Sequence, residues 1–286
     1  MNADDYGYSE GVSRGILEAA RRGVVTAVGI LANSPLFEDH LDELLSAHNV
    51  DMGVHLNLTA GRPLTRRLEN LLERTGGEFP RNKFQAALSI LARRIGIDLV
   101  EEEWDAQIRR CRDANIGILF LNSHEHLHML PPLFRLTRRL AEKHGIPNIR
   151  HTSAEWFGFP QSSNIPREMV LLFLDYANRI FTKQKAPVVL GASRSGRIDL
   201  SYLERRLESL ALGGVYELMC HPGRSVDCEV VDRRLAAYHD WDGELNALLA
   251  AKEHGLFDSR HVRLIRYRDL DTNAGTPETK GGQTEW

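Results

Sequence analysis

Four short stretches of the chain concentrate side chains able to hold a metal ion or move a proton. Near the start, Asn2-Ala3-Asp4-Asp5-Tyr6-Gly7 sets two carboxylates side by side at a strand-to-helix turn. Active sites of α/β folds form at the carboxyl ends of strands. Neighbouring side chains on extended backbone point apart, so consecutive Asp residues can serve two roles, one on a metal and one facing substrate. Turn and capping roles suit the pair equally well. Gly53-Val54-His55-Leu56-Asn57-Leu58 puts a histidine inside an apolar strand, where a core imidazole bonded to a backbone carbonyl is the ordinary explanation. Asn122-Ser123-His124-Glu125-His126-Leu127-His128 follows the apolar run 116–121. Alternate residues of an extended segment share a face, so His124, His126 and His128 are expected to point toward one cavity at the mouth of the sheet. Finally, Glu217-Leu218-Met219-Cys220-His221-Pro222-Gly223 ends another apolar run with a histidine. Either His221 is an acid or base on the same rim, or it is a solvated strand end before a Pro-Gly turn.

Each motif has a bland reading alone, but one carboxylate and two imidazoles from different strand ends are what an open catalytic metal site uses. Zinc or another transition ion suits that donor set. A cysteine nucleophile has little support, because no GxSxG elbow surrounds Cys220 and its place in an apolar run predicts a buried, inert thiol.

The elements that must position these residues alternate between helical and strand patterns. Ser9, Glu10, Val12, Ile16 and Ala20 give an N-cap, a first-turn acid and apolar residues at helical spacing, closing at Gly23. Residues 24–32 form a nearly continuous apolar run, as for a strand buried on both faces. Helical patterns follow at 37–48, 83–94, 99–114, from Pro131-Pro132 onward, 203–212 and 235–254, and strand patterns at 51–58, 116–121 and 215–220. The alternation predicts a mainly parallel sheet in an α/β fold, a barrel or barrel-like variant at this length. Residues 1–270 read as one domain with an irregular insertion or lid at 151–197, itself containing a helix near 167–181, and 271–286 as a disordered tail. Only three residues precede Asp4, so the first strand is expected to be truncated or missing.

Composition narrows the classes of function. The 36 basic and 39 acidic residues leave a net charge of −3, without the basic field of a nucleic-acid binder. Arg138, Arg139, Arg205 and Arg206 read as solvated helix faces. The cysteines, Cys111, Cys220 and Cys228, are an odd set with no CxxC pair, which fits a reducing compartment. There is no apolar run long enough to span a membrane, and the acidic start is unlike a signal peptide, so a cytoplasmic protein is expected. Trp156, Phe157 and Phe159 suit either sugar stacking or a small cluster under a loop.

In order and spacing, NADDYG, GVHLNLT with the following GRPL, NSHEHLHMLP and CHPG resemble the YdjC-like carbohydrate deacetylases of the chitooligosaccharide deacetylase type, over roughly the first four fifths of the chain. That resemblance implies a distorted TIM-like barrel and a divalent metal, magnesium by family likeness, held by Asp5, His55 and His124. It further implies Asp4 as general base, His221 as general acid, and His126 and His128 lining the substrate pocket. Where many members have Asp before Ser-His this chain has Asn122, expected to orient His124 through its amide oxygen. The implied reaction removes acetyl groups from N-acetylated sugars, in a protein of a size that often dimerises. A metal-dependent sugar isomerase or phosphoesterase on a barrel, and a non-catalytic sugar-binding protein, are the competing readings.

Overall fold

Continuous β-branched and apolar runs, alternating with amphipathic helices, build a parallel sheet covered by helices. A computed structural model describes residues 1–80, 82–152, 165–179, 186–225 and 237–270. Its seven strands are β1 Asn2–Tyr6, β2 Ala27–Ile30, β3 Asp51–Leu56, β4 Ile118–Ser123, β5 Asn148–Ile149, β6 Val188–Leu190 and β7 Tyr216–Cys220. All pair in parallel in the order β5-β4-β3-β2-β1-β7-β6, a curled half-barrel surrounded by helices. This is the α/β, TIM-like architecture the alternation predicts. Most strand residues are buried, and those of β1 and β2 all are, which explains why the central strands read as apolar runs rather than alternating ones.

The first strand, expected to be truncated or missing, is present. Residues Asn2 to Tyr6 form a strand at the centre of the sheet, with Asn2 paired to Ala27 on one side and Met219 on the other. The span 151–197, read as an irregular insertion with one helix, also holds a strand the sequence did not suggest: Val188–Leu190 pair with β7 as an edge strand. The helix expected near 167–181 is there, as Ile165–Arg179. Trp156, Phe157, Phe159, Cys228, the start of the 235–254 helix and the tail 271–286 lie outside the described residues.

Two helices matter most for the site. Helix α1, Glu10–Arg21, is capped by the Ser9 hydroxyl, which accepts from the Val12 N–H, and it buries Val12, Ile16, Ala19 and Ala20 on the sheet. Its Gly15 meets the turn after β7 so closely that a methyl there would lie 2.3 Å from Gly223 Cα. A later helix, Trp241–Glu253, starts at an Asp240 cap and packs beside α1. Below the sheet, at the amino ends of the strands, a short 3-10 turn, Tyr267–Asp269, closes the floor: Tyr267 stacks on Phe120 at 4.4 Å, and the Arg268 N–H donates to Asp51 at 2.7 Å.

Candidate metal and acid-base site

At the carboxyl ends of β1, β3, β4 and β7 the four sequence motifs meet. Asp5 sits at a register shift of β1, with φ of 72°, a left-handed conformation that Asp tolerates better than most residues. That kink separates Asp5 from Asp4, as two roles for two carboxylates would need. His55 Nε2 stands 3.2 Å from Asp5 Oδ1, and His124 Nε2 stands 3.8 Å from the same oxygen. His221 Nε2 faces the other oxygen, Oδ2, at 4.0 Å. All four side chains are buried, and Asp5 Oδ1 has no hydrogen-bond partner. Burial alone would raise the Asp5 pKa, but the surrounding imidazoles of His124, His55 and His221 outweigh it and hold the carboxyl well below its usual range.

The far nitrogens of the rings are tied down. His55 Nδ1 lies 2.7 Å from Asn122 Oδ1, a bond that makes Nδ1 the donor and leaves Nε2 facing Asp5. His124 Nδ1 pairs with the Thr59 hydroxyl at 2.6 Å, and its ring stacks near Tyr8 at 6.1 Å. Asn122 therefore orients His55 and not His124, because β3 and β4 pair with His55 opposite Asn122. Room for this is made by Gly29, where a methyl would come within 3.1 Å of Asp4 Oδ1 and 3.4 Å of the His55 ring.

The donor set fits a cation in kind. A carboxylate oxygen without a partner, facing two imidazole nitrogens whose opposite edges are anchored, is the arrangement a divalent ion resolves. Metal bonds of about 2.1 Å put adjacent ligand atoms about 3.0–3.4 Å apart, close to the separations here. Among the described residues no three such side chains are drawn together as a finished metal cluster.

Asp4 lies on the other flank of His55, 3.7 Å from Nδ1. Its Oδ1 accepts from Asn2 Nδ2 at 2.6 Å, Asn122 Nδ2 at 2.9 Å and Arg150 Nη2 at 3.1 Å, and its Oδ2 from Arg150 Nη1 at 2.5 Å. Burial pushes its pKa up, but Arg150 and His55 more than offset this, so the carboxyl stays ionised. Arg150 is itself only 1% exposed, and its Nε donates to Glu217 Oε1 at 2.6 Å. The His221 backbone N–H donates to Glu244 Oε2 at 2.5 Å, and the His221 ring stacks on His239 at 4.9 Å. Burial lowers the His221 pKa against the pull of Asp5, and pushes the Glu244 carboxyl up to about 8.

The histidine run departs from the extended segment expected. Residues His124–Met129 form a 3-10 turn in which Glu125 and His126 take left-handed φ values of 54° and 60°. The rings therefore diverge. His124 enters the site, His126 Nδ1 approaches the Thr152 hydroxyl at 3.2 Å, and His128 is sealed inside, bonded to Ser123 Oγ and the Arg150 carbonyl. Sequence reasoning missed Thr59, Arg150, Glu217, Glu244 and His239. Of these, Thr59 and Glu217 stand in motifs singled out above, at the end of GVHLNLT and at the start of the run before His221. Cys220 is buried, with its thiol pushed well above the usual range, as an inert core residue should be. Among the described residues no helix is long and apolar enough to cross a membrane.

A carbohydrate deacetylase of Clostridium beijerinckii is 26% identical over 270 residues, 94% of this chain and 98% of that protein. One from Halalkalibacterium halodurans is 30% identical over 226 residues, covering 78% of this chain and 83% of its own. Carbohydrate deacetylase 1 of Listeria innocua is 39% identical over 158 residues, 55% of this chain, and the match spans 62% of the Listeria protein's length. A crystal structure from Enterococcus faecalis, described as a cellobiose-phosphate cleavage protein, shares the fold with a TM-score of 0.67 at 24% identity, over 93% of this chain and 96% of its own. The YdjC-like protein profile matches residues 1–257, and the chain belongs to that family.

Proposed function

We propose that this chain is a carbohydrate deacetylase that hydrolyses the acetamide of N-acetylated sugars, giving acetate and a free amino sugar, with one divalent cation held by Asp5, His55 and His124. The observation that carries the reading is the buried, unpartnered Asp5 Oδ1 faced by the Nε2 atoms of His55 and His124. Family membership and the names of the relatives supply the substrate class. Two imidazoles and a carboxylate favour zinc or another transition ion over magnesium, which prefers oxygen donors.

Bound there, the cation would polarise an acetyl carbonyl and acidify water. The protein's own residues do the rest. Asp4, kept ionised and immobile by Arg150, takes the proton from the attacking water. His221, facing the second carboxylate oxygen of Asp5, delivers a proton to the departing amine nitrogen. The Glu244 carboxyl and the His239 ring hold His221 in place. His126, beside the Thr152 hydroxyl, is assigned to the lining of the sugar pocket.

One observation favours a second role for Asp4. Its oxygens are already filled by N–H donors from Asn2, Asn122 and Arg150, so it also fixes the tautomer of His55 through Asn122. Asp4→Asn separates the roles. As proton acceptor, Asp4 is dispensable for the cation, and the variant keeps stoichiometric metal while losing turnover. As orienting group, its loss weakens metal affinity about 10–100-fold. Asp5→Asn should lose the metal outright. Equal metal content and full activity in both variants would sink the assignment.

A further inference from the structure

The interior of the half-barrel holds a continuous chain of charges that runs from the floor to the site. At the floor, the Tyr267 hydroxyl donates to Glu217 Oε2 at 2.6 Å. Glu217 Oε1 accepts from Arg150 Nε at 2.6 Å, and the two terminal nitrogens of Arg150 grip both oxygens of Asp4. Every member is buried. A guanidinium is planar, so once Nε is fixed on Glu217 the direction of the Nη pair is fixed as well. Glu217 can in turn hold Nε only if its own carboxylate plane is set. The hydroxyl that sets it comes from outside the matched family region, since residues 1–257 carry that match and Tyr267 lies ten residues beyond.

We infer that Tyr267 is a positioning residue for the hydrolytic site: its hydroxyl locks Glu217, Glu217 aims Arg150, and Arg150 holds Asp4. The inference rests on the role proposed above for Asp4. The strap that carries Tyr267 is built to be stiff. Its ring stacks on Phe120 with planes 15° apart, and the next residue, Arg268, pairs through both backbone and side chain with Asp51 at the start of β3. The floor of a barrel ordinarily serves stability and the opposite rim serves chemistry. Here a floor residue is coupled to the rim through two intervening side chains.

Tyr267→Phe tests this, because it deletes the hydroxyl and keeps the ring on Phe120. Three readouts are needed: kcat and KM for acetate release, bound cation, and the Nε–H resonance of Arg150 in nitrogen-15 NMR. Positioning predicts about a tenfold fall in kcat with KM and bound cation unchanged, the size of effect that slight misplacement of a reacting group produces. It also predicts a moved Arg150 resonance, although Arg150 is untouched. Glu217→Gln should lower kcat at least as far, and the double variant should lose no more than Glu217→Gln alone, because one acts through the other. Full kcat with an unmoved resonance, or losses that multiply in the double variant, would overturn the inference. Should Tyr267→Phe fail to fold, Glu217→Gln carries the same test through the same readouts. If the wild-type protein releases acetate from no N-acetylated sugar, the proposed function falls, and the Arg150 resonance decides the coupling by itself.

Discussion

Removing the guanidinium of Arg150 while keeping most of its volume, as Arg150→Met, should be among the most destabilising single changes in the molecule. One cation serves two carboxylates here, Asp4 at 2.5 and 3.1 Å and Glu217 at 2.6 Å, in surroundings where Arg150 is 1% exposed. Charge-assisted bonds contribute roughly 1.5–3 kcal/mol each, and breaking a buried pair by deleting one partner typically costs about 3–5 kcal/mol, because the survivor is left buried and unpaired. We expect a loss of about 3–5 kcal/mol at pH 7.5, on the order of 10 °C in Tm for a domain of this size. The loss should depend on pH with a definite sign. In the wild type the Asp4 pKa is depressed, so its stabilisation is present above the unfolded value of 3.8 and disappears as pH falls below it. Without Arg150, burial raises that pKa, and the penalty grows as pH rises above the unfolded value. The gap between the two proteins is therefore widest near pH 7.5 and narrower at pH 5. Urea unfolding of both metal-free proteins at the two pH values measures it. A gap below about 1 kcal/mol, or one that does not change with pH, would refute the reasoning.

Two further predictions follow from close contacts and from burial. Gly15→Ala gains up to about 1 kcal/mol of helix propensity but drives a methyl to 2.3 Å from the Gly223 backbone, so thermal unfolding should show net destabilisation and kcat should fall as the His221 turn is displaced; a rise in Tm with unchanged kcat would contradict this. Glu244, pushed up to about 8 by burial, binds a proton in the folded state that the unfolded chain has released. Its contribution to stability is full below the unfolded value of 4.5 and lost as pH rises to about 8, on the order of 1 kcal/mol per pH unit. Glu244→Gln should remove that slope from the pH dependence of unfolding, and parallel profiles for the two proteins would show the carboxyl titrates normally.

What could be read from the sequence, and what could not, divides by range. The sheet was legible because its strands are buried on both faces and so read as apolar runs, and because helix caps such as Ser9 are local. Edge strand β6 was not, being three residues with Val188 exposed. The convergence of Asp5, His55, His124 and His221 followed from placing each at a strand end. The histidine turn misled because left-handed φ at Glu125 and His126 has no signature in those residue types. Arg150 was invisible for a different reason. Its partners, Asp4 and Glu217, stand 146 and 67 residues away, so no spacing betrays the charge chain. Glu244 stands in the first turn of its helix beside Asp242, with no local feature to mark it, yet it is fully buried and accepts from the backbone N–H of His221.

The central claim is that Asp5, His55 and His124 serve hydrolysis of a sugar acetamide. Acetate release from a panel of N-acetylated mono- and oligosaccharides tests it most directly, using protein loaded with zinc or magnesium, a chelated control and Asp5→Asn. Acetate release should then require the cation and vanish in Asp5→Asn. Release that persists under chelation, or none from any sugar by folded, metal-bound protein, would contradict it.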